Sequence, residues 1–337
     1  MEILWETVAF ALKALVVLVA FAAFVVMVVG AVRGRGEERA DGRLVVKRLN
    51  ERFENLALGM RHGMLRDKEW KAHHKQWKKA HKDQAPLAKN VFLLDFKGDV
   101  LASAVEHLRD EITAVLEVAG DGDEVVVRLE SPGGAAHSYG LAASQLARLR
   151  ERKIPLTACV DRVAASGGYM MACVANTIVA APFSIIGSIG VAAPLPNAHR
   201  LLGRFGIDYE NATAGKYKRT VSYLAPITEE GRAKFQSQLD ETHEQFKDFV
   251  KQHRPSLAID DVATGEYWHG VRALELGLVD RLATSDDCLR ERARDANLYE
   301  VRYRSRSGMR ARLGAAAAAI AESVYLTLAS RWRTPLA

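Results

Sequence analysis

Residues 161–168 read DRVAASGG and set Ser166 among small side chains, directly before two glycines. A serine hydroxyl becomes a nucleophile only when a neighbouring base takes its proton and N–H donors meet the oxyanion that forms. Gly167 follows the serine at the expected start of a helix, where its N–H is free to donate. A second glycine turn, Ser131-Pro132-Gly133-Gly134, closes the apolar run EVVVRLE. That puts it at the carboxyl end of an expected strand, where ligand sites of α/β proteins lie. Gly134 can bring its N–H close to a substrate because no side chain obstructs it. Taken singly, SPGG is also an ordinary turn and Ser166 an ordinary helix cap.

The base is less legible. No SxxK pattern occurs, and His137, His199, His243, His253 and His269 are scattered without a local motif. A lysine can serve when burial disfavours its ammonium and lowers its pKa. AGKYKRT (214–220), after an expected strand at 208–213, holds two, Lys216 and Lys218. Both project to the same side of an extended chain, so their spacing does not separate them.

These residues need a scaffold, and the pattern around them supplies one. Strands are expected at 91–96, 124–130, 156–160 and 177–180. Helices are expected at 103–119 and 137–152, with another opening after Ser166. The βαβ rhythm predicts a layered α/β domain with helices covering a largely parallel sheet. Thr228, followed by Glu229 and Glu230, opens a long amphipathic helix running to His253.

Upstream, Ala14–Val32 holds only Ala, Val, Leu, Phe, Met and one Gly, enough to cross a bilayer as one helix. Glu2, Glu6 and Lys13 precede it, and it exceeds a signal-peptide core, so an uncleaved anchor fits better than a cleaved leader. Arg33, Arg35 and Arg39 follow and point the rest of the chain to the cytoplasm by the positive-inside rule, a bias that long domains can override. Residues 61–90 are rich in Lys and Arg, with Trp70, Trp77 and four histidines. After an anchor, such a segment rests on anionic headgroups or spaces the domain from the bilayer more simply than it binds nucleic acid. The histidines form no HExxH, and Cys159, Cys173 and Cys288 form no CxxC, so neither a metal centre nor a disulfide framework is indicated. The expected division is an anchor at 1–32, a basic helical linker at 33–90, a catalytic domain at 91–300, and a basic, Ala-rich helical tail at 301–337.

Five segments, RLESPGG (128–134), VAASGGYMMA (163–172), GSIGV (187–191), AGKYKRT (214–220) and GLVD (277–280), occur in the order and spacing of a known family. The chain resembles the membrane-anchored serine peptidases of the signal peptide peptidase A and SohB family. The resemblance implies a crotonase/Clp protease-like fold of repeated ββα and βαβ units, and a Ser/Lys dyad with Ser166 as nucleophile and Lys218 as general base. It also implies that Ser188 orients the lysine, that Gly134 and Gly167 donate to the oxyanion, and that no cofactor or metal is needed. Peptide substrates, in signal peptides or other membrane-associated peptides, membrane lipid and a homo-oligomer enclosing a chamber are the implied partners. The implied location is the cell inner membrane in a single pass, with the side of the catalytic domain open. Three other readings compete: an acyl-CoA enzyme on the related crotonase fold, a Clp-type protease with a Ser-His-Asp triad, and a non-enzymatic membrane scaffold.

Overall fold

The computed structural model describes residues 42–82 and 87–304. The expected anchor at Ala14–Val32 and the Ala-rich tail beyond Arg304 lie outside the described residues. Among the described residues no helix is long and apolar enough to cross a membrane.

The chain divides into two units. In the smaller one, described here only at 42–45 and 303–304, Gly42 lies against the Tyr303 ring. The larger, residues 46–302, holds the elements that carry the motifs. Its strands are β1 (Arg43–Arg48, whose first residues fall in the smaller unit), β2 (Lys89–Lys97), β3 (Glu124–Glu130), β4 (Leu156–Val160), β5 (Val163–Ala165), β6 (Thr177–Ala180), β7 (Ile185–Gly187), β8 (Tyr267–His269), β9 (Arg281–Leu282) and β10 (Ala296–Arg304). Its helices are α1 (Leu49–Met64), α2 (Asp67–Lys82), α3 (Val105–Val118), α4 (Ala136–Glu151), α5 (Gly167–Ala172), α6 (His199–Arg204), α7 (Glu229–His253), α8 (Ile259–Val262), α9 (Gly270–Glu275) and α10 (Ser285–Arg292). The main sheet runs β1-β10-β2-β3-β4-β6-β9, and every pairing from β10 to β9 is parallel. A small second sheet pairs β5 with β7 in parallel and β7 with β8 antiparallel.

The central strands are apolar on both faces because both are covered, as parallel sheets require. Phe92, Leu94 and Phe96 of β2 face the larger core with Val125, Val127 and Leu129 of β3, under α3 and α4. Val91 and Leu93 alternate to the opposite face and meet Val126, Cys159, Cys288 and Leu298. Leu49 and Phe53, in the first two turns of α1, close this second core. Structure therefore begins well before Val91, because the sheet's second face needs a cover. Each fully buried aliphatic side chain contributes about 1.5–3 kcal/mol by its removal from water.

Thr228 caps α7, its Oγ1 accepting from the Gly231 N–H at 3.0 Å. The strand expected at 208–213 does not form: that stretch is irregular and exposed. Among the described residues it pairs with no neighbouring strand, and alternation without a partner edge does not hold a strand in water.

Candidate functional site

Three parallel strands end side by side, and each ends in a turn bearing one of the candidate residues. β3 runs into Ser131-Pro132-Gly133-Gly134, β5 into Ser166, and β7 into Gly187-Ser188. Ser131 ties the first turn to the second: its N–H donates to the Val163 carbonyl at 2.8 Å, and its carbonyl accepts from Ala165 N–H at 3.0 Å. Ser166 is tied to the third through its N–H, which donates to the Gly187 carbonyl at 2.7 Å. In register, Ala165 is opposite Gly187, so Ser166 and Ser188 are the next residues along two paired strands.

Ser166 is half-buried, with φ +51° and ψ −120°, a region that L side chains avoid. Ser188 has φ +51° as well. Ser166 stands at the cap position of α5, yet its side chain makes no capping hydrogen bond. A strained serine that does not cap its helix is a serine whose hydroxyl is free for another use.

The glycines beside it are sterically required. A side chain on Gly134 would run into the Val100 carbonyl, and one on Gly167 into the Tyr139 ring. Gly133 adopts φ +89°, and a Cβ there would come within 2.7 Å of Ser166 Cβ. The Gly133 N–H is already used, donating to Ser131 Oγ at 3.1 Å. Among the described residues the amides of Gly134 and Gly167 have no partner, and Gly167 opens α5 with the positive end of the helix dipole behind it.

A brace beneath these turns was not anticipated from the sequence. Ser131 Oγ and Tyr139 OH lie 2.5 Å apart, and Tyr139 OH donates to the Asp99 carbonyl at 2.8 Å. Both side chains are fully buried. A serine opening a turn and bonding the amide two residues on is a readable signal. Tyr139 carries none, because its acceptor is forty residues away in sequence.

The lysine loop is held against the start of α7. Lys216 pairs with Glu230 at 2.7 Å in the first turn of α7, and that hydrogen bond raises its pKa while lowering that of Glu230. The Thr220 carbonyl packs against Gly231. Lys218 is exposed, and among the described residues its side chain makes no hydrogen bond or ion pair. Ile186 and Ile189, on either side of Ser188, are fully buried in the larger core. Of the histidines, His243 reaches the Ile189 carbonyl at 3.3 Å and His269 the Phe183 carbonyl at 3.2 Å, while His253 packs edge-on against Phe249. His137 and His199 are exposed.

The GLVD segment does structural work: Asp280 forms two hydrogen bonds to Arg254 at 2.7 and 2.8 Å and accepts from Ile178 N–H at 2.7 Å, joining α7 to β6. Asp161, at the head of DRVAASGG, accepts from Ser285 N–H at 2.7 Å and so ties α10 to the strand entering the site. Among the described residues no group of His, Cys, Asp and Glu is arranged to hold a metal.

The site is thus a parallel α/β layer with a strained serine at a strand-to-helix elbow, backed by two glycine turns. Two family models match the chain, peptidase family S49 over residues 148–299 and the S49 N-terminal region over residues 2–146. The chain belongs to peptidase family S49. It is 54% identical over 224 residues to "Probable protease SohB" of Haemophilus influenzae, covering 66% of this chain and 64% of that one. It is 57% identical over 197 residues to the protein of the same name from Buchnera aphidicola subsp. Schlechtendalia chinensis, covering 58% and 65%. The matches thus span a little under two thirds of these relatives' length. Among solved structures, the membrane-bound stomatin-specific protease 1510-N aligns with a TM-score of 0.38 and 20% identity, over 61% of this chain and 80% of that one.

Proposed function

We propose that the chain is a membrane-anchored serine endopeptidase that cleaves peptide bonds with Ser166 as nucleophile and Lys218 as general base. The observation that carries this reading is the strained Ser166, which makes no capping hydrogen bond and stands against Gly133 of the SPGG turn. Neutral Lys218 takes the Ser166 proton and the alkoxide attacks the peptide carbonyl. The Gly134 and Gly167 N–H groups hold the tetrahedral oxyanion, whose collapse breaks the C–N bond as Lys218 returns the proton to the departing amine, and water deprotonated by Lys218 then releases the acyl-enzyme. Ser188, next to Ser166 across the β5–β7 pair, orients the amine. The fold is of the crotonase/Clp protease type, and the chemistry calls on no cofactor.

Lys218 must leave water to act as a base. α6 and the chain between it and α7 expose Leu201, Phe205, Ile207 and Tyr223, apolar surface that a homo-oligomer would cover while drying the lysine. Substrates are peptide segments presented at the membrane to which Ala14–Val32 anchors the chain, signal peptides among them.

A fluorophosphonate probe tests the assignment. Wild type is labelled, whereas Ser166→Ala and Lys218→Ala are not. Labelling of Lys218→Ala at the wild-type rate would remove the lysine from the mechanism, and turnover of enoyl-CoA without peptide cleavage would overturn the peptidase.

A further inference from the structure

The stripe of α1 that enters the second core continues past it. Leu49, Phe53, Leu56, Met60 and Met64 fall on one side of the helix at about 100° per residue. The first two pack into the core, but Leu56, Met60 and Met64 are 64%, 69% and 73% exposed. At the N-terminal end of α1, Lys47, Arg48, Glu51, Arg52, Asn55 and Leu56 line an open cleft of about 570 Å³, in which three cationic side chains outnumber the one carboxylate.

α2 is divided just as sharply. Trp70, His73, His74 and Trp77 face inward and stack on one another, with Trp70 and His74 centroids 4.9 Å apart. The helix joins α1 through Arg61–His73 at 2.8 Å and the His62–Trp70 ring contact. Lys68, Lys71, Lys75, Lys78 and Lys79 are all exposed and share the opposite arc, about 100° wide. Between Lys47 and Lys82 stand eleven basic and four acidic residues, more positive charge than the chain's net +6, so the basic surface is local to these helices.

We propose that α1 and α2 form a docking face for an anionic phospholipid surface, with Leu56, Met60 and Met64 entering the interface and the cleft and the lysine row meeting headgroup phosphates. This rests on the anchor reading above. About fifteen residues separate Val32 from Lys47, which holds the cleft within about 50 Å of the bilayer even when fully extended. A second copy of the chain would bring like charges together across the same face. A nucleic acid would leave the Leu56–Met64 stripe in water. An anionic bilayer matches both the charge and the apolar row.

The test uses the full chain with Met60→Cys carrying a polarity-sensitive dye, which is selective because all three native cysteines are buried. The protein is mixed with phosphatidylcholine vesicles or with vesicles containing about one third phosphatidylglycerol, and flotation and dye emission are read together. The expected result is flotation with both vesicles and a blue shift only with phosphatidylglycerol. Salt at about 0.5 M reverses the shift, because the Debye length then falls to about 4 Å. Lys71→Gln, Lys75→Gln and Lys78→Gln together abolish it, and arginine at the same three positions retains it. Flotation with both vesicles and identical emission overturns the docking face while the anchor stands. Salt-sensitive flotation with phosphatidylglycerol alone supports the docking face and removes the anchor. Flotation with neither overturns both, and a lysine-dependent complex with RNA that leaves the dye unshifted on vesicles replaces the lipid with a nucleic acid.

Discussion

Ser166 donates its backbone N–H to the Gly187 carbonyl at 2.7 Å, so the serine and the residue before Ser188 are held by one hydrogen bond. That bond helps keep Ser166 at φ +51°, where glycine would sit without strain.

Replacing Ser166 therefore separates stability from activity. Ser166→Gly and Ser166→Ala both lose probe labelling. Ser166→Gly melts higher than Ser166→Ala, because relief of a strained φ is worth about 1–3 kcal/mol. Calorimetry of the two variants checks this, and an equal or lower melting temperature for Ser166→Gly would show that the serine is unstrained.

The two lysines of AGKYKRT diverge in the same way. Lys218→Ala lowers peptide-cleavage kcat by about a hundredfold to ten-thousandfold, the range for loss of a general base. Lys216→Ala frees only an exposed pair with Glu230 and retains most of the activity. His243→Ala, near the site at Ile189, also stays active; if it alone abolished cleavage, a histidine mechanism would take the lysine's place.

Ser131→Ala probes the brace. It strips Gly133 N–H and Tyr139 OH of a buried partner, at a cost of about 1–3 kcal/mol. It also loosens the turn carrying Gly134, so kcat falls more than KM rises. Chemical denaturation with steady-state kinetics reads both effects.

Asp280 makes stability acid-sensitive. Burial pushes its carboxyl upward, but the Arg254 hydrogen bonds and the Ile178 N–H outweigh it and hold it below the usual range. Its contribution is therefore complete above the unfolded value near pH 4 and is lost as pH falls through the lower folded value. Asp280→Asn destabilises by about 1–3 kcal/mol at pH 6. The gap to wild type narrows toward pH 3 in melting curves.

Cys159 and Cys288 meet across β4 and α10 as free thiols, beside an Arg292 nitrogen 2.8 Å from Cys288 Sγ. The Cys159 hydrogen bond, with Arg292 behind it, brings Cys288 down to about 7, while the same contact and burial raise Cys159 well above its usual value. The lowered group adds stability as pH rises from about 7 to the unfolded value near 8.5, and the raised group loses it above that. The melting advantage of wild type over the Cys159→Ala, Cys288→Ala double variant thus peaks between about pH 8 and 9. A pH-independent advantage would remove this coupling.

Local pattern was enough for much of this. Glu124–Glu130, Leu156–Val160 and Thr177–Ala180 form at the expected residues because strands covered on both faces must be continuously apolar. The Thr228 cap formed because capping is decided within four residues. The 208–213 strand did not, since a strand needs a partner and nothing local supplies one. Sequence by itself determined that Ser166 precedes two glycines after a strand and that two lysines follow. Only the tertiary structure decided that SPGG, Ser166 and Ser188 end three neighbouring strands, that Tyr139 braces them from forty residues beyond its acceptor, and that Lys218 stands exposed. Strand order and loop placement come from contacts between distant segments, which no local period encodes.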